Sequence, residues 1–193
     1  QAMAIVRNVE ALSDSADILW RMSLHVFNDG EIADACLGSQ RETGLDISLL
    51  FWLCWTGMEL WHEVSIRDLR QILQSIYAWR KDVVEVLRGL RIRMRTPINP
   101  VHVHRQEHLR AKLRKLEICA ERIEQEMLMR FSSDFTRNSG KSCAYINMRR
   151  YINVLQCRPG EEDMEQVLKL IVVRAEDWSF MEHRGRSTAQ DIA

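Results

Sequence analysis

Residues 44–55 read GLDISLLFWLCW and form the most apolar stretch of a chain that is otherwise rich in arginine and glutamate. Gly44 is predicted to end one helix, since glycine adopts the left-handed C-terminal conformation cheaply, and Asp46 to cap the next. The uninterrupted apolar run Leu49–Trp55 has seven residues, whereas a membrane-spanning helix needs about 20. We predict a helix buried on all sides at the centre of the core, with one tryptophan of Trp52 and Trp55 left for a partner.

The remaining sequence has helical periodicity almost everywhere and few residues that break helices. Only 3 Pro and 8 Gly occur among 193 residues, which favours long uninterrupted helices. The polar stretch 132–142 is predicted to be a loop. The other predicted helices span residues 14–27, 31–42, 65–95, about 101–131, 145–157 and 161–178.

Two long helices carry a heptad spacing of alternating four and three residues. Its positions are Leu69, Leu73, Ile76, Arg80, Val83, Leu87, Leu90 and Met94 in the first helix, and Leu109, Leu113, Leu116, Ala120, Ile123 and Met127 in the second. This spacing is typical of a coiled-coil seam, and the short connector at 96–100 predicts an antiparallel hairpin. The competing interpretation is that the second helix stands away from the body and pairs with another chain.

The predicted fold class is therefore all-α. We expect a helical bundle of short helices packed on a long antiparallel coiled-coil-like hairpin, followed by a helical C-terminal extension. The predicted domain boundary separates residues 1–131, which include the hairpin at 65–131, from residues 132–193.

The charged residues are segregated along the chain although the formal net charge is zero. Residues 1–50 hold 3 Lys+Arg and 8 Asp+Glu, a net of −5, and residues 64–116 hold 13 and 4, a net of +9. The hairpin concentrates the positive charge at its tip, in Arg88, Arg91, Arg93, Arg95, Arg105, Arg110, Lys112, Arg114 and Lys115. This patch indicates a solvated helix surface, an acidic protein partner, or RNA or an anionic lipid surface.

Asp46 and Arg80 form the most suggestive polar pair. Arg80 falls on the apolar seam, and a buried arginine needs a carboxylate or several carbonyl groups as partners. We predict that Asp46 meets Arg80 inside the bundle as a structural pair. In the catalytic alternative, Asp46 is a base and Arg80 with Arg88 holds an anionic substrate; without a Ser-His-Asp or Cys-His pattern, we predict no catalytic residues and no enzyme.

Neither metal nor cofactor binding is predicted. His104 and His108 share a helix face, but no third ligand at suitable spacing accompanies them. Residues 138–142 (NSGKS) resemble the end of a phosphate-binding loop but follow a long helix and have Phe135 where that loop needs glycine.

The cysteines indicate a reducing compartment. Their number is odd and no CxxC pair occurs, which argues against a secreted disulfide framework. Cys36 and Cys54 lie among apolar residues, where a free cysteine acts as a small hydrophobic side chain.

The stretch from Leu19 to Arg93 resembles a proteobacterial all-helical family known only as a domain of unknown function. The residues that carry the resemblance are Leu19-Trp20, Ser23-Leu24, Ala35-Cys36-Leu37, Gln40, Gly44-Leu45-Asp46, Leu49-Leu50, Trp52 or Trp55, Trp79-Arg80, Val83-Val84 and Leu87-Arg88. With the following long helix it covers about residues 16–131. The resemblance implies a compact helical fold and a bacterial origin but no activity.

We expect a non-catalytic accessory or adaptor subunit of a larger assembly. Six Trp are many for this length, and tryptophan is enriched in interface hot spots. The alternative is a module that binds RNA or an anionic surface through residues 88–115. A first residue other than Met and the C-terminal extension suit an organelle-targeted descendant, so we expect the mitochondrial matrix or a bacterial cytoplasm.

Overall fold

The computed structural model describes residues 2–135, 140–155 and 161–190, with side chains described for residues 14–135, 140–155 and 163–183. Within these ranges the chain forms helices joined by turns and no strand, so the predicted all-α fold is confirmed. The helices are α1 (Ala2–Phe27), α2 (Gly30–Thr43), α3 (Ile47–Glu59), α4 (Ile66–Trp79), a π-helical turn (Arg80–Val84), α5 (Glu85–Arg93), α6 (Val103–Ser132), α7 (Ala144–Val154) and α8 (Glu161–Gln190).

Capping residues begin and end the helices around α3, and the sequence predicts two of them, Gly44 and Asp46. Asp29 accepts hydrogen bonds from two N–H groups in the first turn of α2 at 3.1 and 3.4 Å, and Asp46 accepts one from the third residue of α3 at 3.0 Å. Gly44 ends α2 with a φ of 73°, in the left-handed region that glycine adopts without strain. Ser65 accepts from the Asp68 N–H at 3.1 Å and begins α4. Gly44 and Asp46 confirm the predicted end of α2 and start of α3, whereas α1 begins at Ala2 and α8 extends to Gln190, beyond the predicted helices 14–27 and 161–178.

Helix α3 lies at the centre of the molecule. Its residues Ser48–Met58 are all buried, with α1, α6, α7 and α8 packed around it. Trp52 and Trp55 are both buried, and the Trp52 Nε1 atom donates to Ser132 Oγ at 2.9 Å. The expectation that one of these tryptophans is left for a partner is therefore wrong. Among the described residues, no helix is long and apolar enough to cross a membrane.

Helices α7 and α8 belong to the same hydrophobic core as α1–α6. A Cβ atom added to Gly57 of α3 would lie 2.3 Å from the backbone nitrogen of Ala144, so α7 approaches α3 as closely as glycine allows. The core also includes apolar residues of both helices, among them Met148, Tyr151, Ile171 and Trp178. The core thus crosses the boundary that we predicted between residues 131 and 132.

Helices α4 and α5 run beside α6 in the opposite direction. Trp79 Nε1 donates to the Ala120 carbonyl oxygen at 3.0 Å, and near the other end Gln106 Nε2 donates to the Met94 carbonyl oxygen at 2.9 Å. As the residue number increases along α4 and α5, the number of the contacting residue on α6 decreases. The two arms of the hairpin, α4–α5 and α6, are therefore antiparallel.

The predicted heptad seam does not describe the buried face of α6. Leu109, Leu116 and Ile123 are exposed, although the seam places them inside. The buried positions of α6 are Gln106, Leu113, Glu117, Ala120, Glu124, Gln125, Leu128, Met129 and Ser132. The seam was assigned on apolar spacing alone, whereas this face also buries two glutamates beside arginines of the opposite arm.

Candidate functional site

A small polar cleft lies where the start of α3, the π-helical turn, α5 and α6 meet. Its volume is about 10 Å³, which is room for about one water molecule. The lining residues are Gln40, Asp46, Ile47, Ser48, Arg80, Val84, Arg88, Glu121 and Glu124.

The π-helical turn carries Arg80 into this cleft. The Glu85 N–H bonds to the Arg80 carbonyl oxygen five residues earlier, so the turn holds one residue more than an α-helical turn. The extra residue shifts the buried position from the predicted Val83 to Val84, which is 1% exposed. Such π turns are rare in proteins, and those that occur are often found at functional sites.

The structure brings the predicted pair Asp46 and Arg80 together. Arg80 Nη1 lies 3.3 Å from Asp46 Oδ2, and its Nη2 donates to the Gly44 carbonyl oxygen. Burial lowers the pKa of Arg80 most strongly, but the charge of Asp46 leads the opposing influences and the net pKa is raised. The guanidinium is therefore a fixed cation that anchors the start of α3.

Tyr151 of α7 is bonded to the start of α3 next to the cleft. Its hydroxyl oxygen accepts a hydrogen bond from the Asp46 N–H at 2.9 Å, and the ring is fully buried. Burial, followed by the Asp46 charge, raises the pKa of Tyr151, so the phenol stays protonated. Its proton is then free to bond to a neighbouring acceptor.

Glu124 places a second carboxyl group against Asp46. Its side chain is 2% exposed, and no partner for its Oε1 atom is found within the described part of the chain. Burial is the largest influence that raises the pKa of Glu124, and the charge of Asp46 and a hydrogen bond to Asp46 raise it further. The charge of Arg80 opposes them, and the resulting pKa is about 9. Two carboxyls this close cannot both ionise cheaply, so Glu124 is protonated at neutral pH and donates to Asp46.

A second ionic cluster joins α5 to α6 beside the cleft. Arg88 Nε lies 2.9 Å from Glu117 Oε1 and Arg88 Nη2 lies 2.7 Å from Glu121 Oε1, while Arg91 bonds to both oxygens of Glu117. Burial raises the pKa of Glu117, but hydrogen bonds from Arg91 and Arg88 outweigh it and the net pKa is lowered. Burial raises the pKa of Glu121 in spite of Arg88.

The ion pairs of the cleft give no support to the catalytic alternative. Arg80 is occupied by Asp46, and Arg88 by two glutamates, so neither guanidinium is free for an anionic substrate. Binding a substrate would require these ion pairs to open, because the cleft has room for about one water molecule.

The predicted basic patch divides into two groups in the structure. Arg88 and Arg91 turn inward to Glu117, and Arg110 pairs with Glu107 at 2.7 Å. The other six are exposed and form no ion pair with any residue that the structure describes. We call these six the basic tip: Arg93, Arg95, Arg105, Lys112, Arg114 and Lys115.

A buried glutamine makes the loop of the basic tip rigid. Gln106 is 6% exposed, and its Nε2 atom donates to the carbonyl oxygens of Met94 and Thr96 at 2.9 and 2.8 Å. Its Oε1 atom accepts from the Ile98 N–H at 2.9 Å. Three hydrogen bonds from one side chain therefore fix the connector between α5 and α6.

Residues of the site that the sequence analysis missed share one signal. Glu117, Glu121 and Glu124 recur at spacings of four and three on α6, which places them on one helix face. Arg80, Arg88 and Arg91 lie on the opposite arm. Matching the glutamates of α6 with the arginines of the opposite arm would have located the cluster.

His102, His104 and His108 are exposed, and no group suited to hold a metal ion occurs among the described residues.

Comparison with known proteins supports a family assignment without an activity. No curated protein and no solved structure matches the chain. Residues 18–128 match the family described as protein of unknown function (DUF2390). This span is 111 of the 193 residues and includes α2–α5, most of α6 and every residue that lines the cleft. The chain therefore belongs to this family of unknown function.

Proposed function

We propose that the chain is a non-catalytic adaptor subunit that binds an acidic surface of a partner protein through the basic tip. The observation that carries the proposal is the set of six exposed cations without an ion pair in the described part of the chain. Residues 93–115 hold seven Lys+Arg and one Asp+Glu, and that acid, Glu107, is paired with Arg110. Such a concentration of charge attracts an oppositely charged surface and speeds association with it.

The rigidity of the tip supports a binding role. The three hydrogen bonds of Gln106 fix the connector before any partner arrives. A surface that is already ordered loses less conformational entropy on binding, which improves affinity.

RNA or an anionic lipid surface is the second candidate, favoured by the same positive charge. Against RNA, residues 88–115 contain no Phe, Tyr or Trp, so stacking on bases there would rest on three histidines and the arginines alone. A protein partner with acidic side chains needs no aromatic residues at the tip. We therefore favour the protein partner.

The proposal includes a reducing compartment, either the mitochondrial matrix or a bacterial cytoplasm, where the chain joins a multi-subunit complex. Cys36, Cys54, Cys119 and Cys143 are unpaired in the structure, which supports this placement. Burial raises the pKa of Cys36 and of Cys54 to about 12, so both thiols stay protonated and unreactive.

The test compares a charge-reversed tip with a matched control in affinity purification from the native cells. The tip variant carries Arg93→Glu, Arg95→Glu and Arg114→Glu. The control carries Arg41→Glu, Arg67→Glu and Arg70→Glu, three exposed arginines away from the tip. We expect one acidic protein to co-purify stoichiometrically with the wild type and the control, and at least tenfold less with the tip variant.

Two results would contradict the proposal. Purification of the wild-type chain alone would argue against an adaptor. Release of the captured material by ribonuclease, or recovery of RNA in place of a protein, would favour the second candidate.

A further inference from the structure

An apolar stripe is exposed along the two arms next to the basic tip. It consists of side chains that are half exposed, namely Val86 (50%), Leu90 (46%), Leu109 (47%), Leu116 (54%) and Ile123 (41%). The last three recur every seven residues on α6 and so lie on one line along that helix. We call these five residues the exposed stripe.

Ion pairing across the arms shows that the stripe occupies one side of the helix pair. Arg88 and Glu121 meet on one side, 2.7 Å apart. Leu90 follows Arg88 by two residues and points about 160° away from it around α5. Leu116 precedes Glu121 by five residues and points about 140° away around α6. Both leucines therefore lie on the side of the pair opposite to the cleft.

Two cations of the basic tip border the stripe. Arg105 lies four residues before Leu109, and Lys112 lies three residues after Leu109 and four before Leu116. Residues three and four apart are neighbours on a helix surface. Both side chains are exposed and have no ion pair with a described residue. The stripe thus has a positively charged edge.

This charge decides between two kinds of occupant. A second copy packed parallel to the first would bring the same cations against each other, which opposes that form of self-association. An amphipathic helix with carboxylates beside its apolar face would cover the stripe and pair with the edge. The line from Leu109 to Ile123 spans 14 residues, about 21 Å at the rise of an α-helix, which matches about four turns of such a helix.

We infer that the exposed stripe binds an acidic amphipathic helix of the partner protein. This inference rests on the proposed adaptor function and specifies the partner segment. Apolar side chains of the partner helix cover Leu109, Leu116 and Ile123 in the manner of a helix in a groove. Its carboxylates pair with Arg105 and Lys112, which sets the direction of the bound helix.

A designed peptide tests the inference directly. The probe is a helical peptide of about 18 residues with leucine at heptad a and d positions and glutamate at e and g. A scrambled peptide of the same composition and a peptide with lysine in place of glutamate are the controls. Fluorescence anisotropy is expected to show binding of the glutamate probe, weakened by salt, and at least tenfold weaker binding of the other two.

Variants of the full-length chain locate the binding surface. We expect Leu116→Ser with Ile123→Ser to lower the affinity for the glutamate probe about tenfold or more, with only a small fall in the melting temperature because both side chains are already half exposed. Val173→Ser on α8 is the matched control, since Val173 is 49% exposed and α8 packs on α1, α2, α3 and α7. It should leave the affinity unchanged.

Three outcomes would overturn the inference, and one of them separates it from the proposed function. Equal probe affinity of the stripe variant and the wild type excludes the stripe as the site. A dimer of the wild-type chain in sedimentation that the stripe substitutions dissolve assigns the stripe to a second copy. If the native partner is lost with the charge-reversed tip and retained by the stripe variant, the adaptor function stands and the inference fails.

Discussion

Besides the hydrogen bond from Glu124, Asp46 takes part in three interactions that belong to three different elements. Its Oδ1 atom caps α3, its Oδ2 atom faces Arg80 of the π-helical turn, and its N–H donates to Tyr151 of α7. Burying one charge is costly unless partners surround it, and here the partners come from separate parts of the chain. The residue therefore ties the start of the central helix to both the turn and the C-terminal helices.

Asp46→Asn isolates the charge of this residue from its capping role. Asparagine caps a helix about as well as aspartate, so the change leaves the cap and removes the counter-charge of Arg80. We expect a loss of about 2–4 kcal/mol in the free energy of unfolding, because Arg80 stays largely buried with fewer partners. Urea unfolding measures it. Asp29→Asn, at the cap of α2, is the control and should cost clearly less, since its partner Arg174 is exposed; equal losses would contradict the pairing.

Glu124→Gln tests the shared proton through the pH dependence of stability. The pKa of Glu124 is raised from 4.5 to about 9 in the folded chain, so between these values the folded state binds a proton that the unfolded state has released. The contribution of Glu124 to the free energy of unfolding is then fully present below about pH 4.5. It falls as the pH rises towards 9, by up to about 1.4 kcal/mol per pH unit. Glutamine keeps the hydrogen bond and cannot ionise.

We therefore expect Glu124→Gln to match the wild type near pH 4.5 and to exceed its stability at pH 8. Urea unfolding at a series of pH values measures the difference between the two chains, in which the contributions of other titrating groups cancel. Parallel stability curves would show that Glu124 is ionised in the folded chain.

At the scale of elements, the sequence predicts those features that depend on neighbouring residues. The caps Asp29, Gly44, Asp46 and Ser65 follow from local chemistry, and α3 follows from an apolar run that leaves no polar face. The orientation of α6 depends on arginines that are distant in sequence, so apolar spacing alone assigned Leu109, Leu116 and Ile123 to the inside. The π-helical turn likewise changes the phase of the helix without a sequence signal that we recognised.

The contact between α3 and α7 supplies a prediction with a matched control. In Gly57→Ala the new Cβ would lie 2.3 Å from Ala144 N, and the backbone of α7 has to move. We expect a loss of about 2–3 kcal/mol in the free energy of unfolding. Gly89→Ala on α5 has no atom within 4 Å of its Cβ and should gain up to about 1 kcal/mol, as alanine favours a helix. Thermal unfolding compares the two; a tolerated Gly57→Ala would contradict the close approach.

At the scale of the whole molecule, the family match covers most of α1–α6 but not the C-terminal helices α7 and α8. The match ends at residue 128, yet α7 and α8 supply fully buried side chains to the core, including Tyr151 and Ile171. The cleft lies within the matched span, but Tyr151 completes its hydrogen bonding from outside it. Residues beyond the matched span thus stabilise the fold that positions the cleft and the basic tip.

A fragment that ends at residue 135 is accordingly expected not to fold on its own. Without α7 and α8, the apolar surface of α3 that they cover is returned to water, at about 25 cal/mol for each Å² exposed, and a domain has only about 5–15 kcal/mol of net stability to lose. Circular dichroism should show a non-cooperative thermal transition, and a hydrophobic dye should bind the fragment.

Co-expression with a second fragment of residues 136–193 is the control, because it restores the missing surface without the peptide connection. We expect the pair to co-purify and melt cooperatively; cooperative unfolding of the first fragment alone would show that α1–α6 form a self-sufficient domain, as the predicted boundary at residue 131 implies.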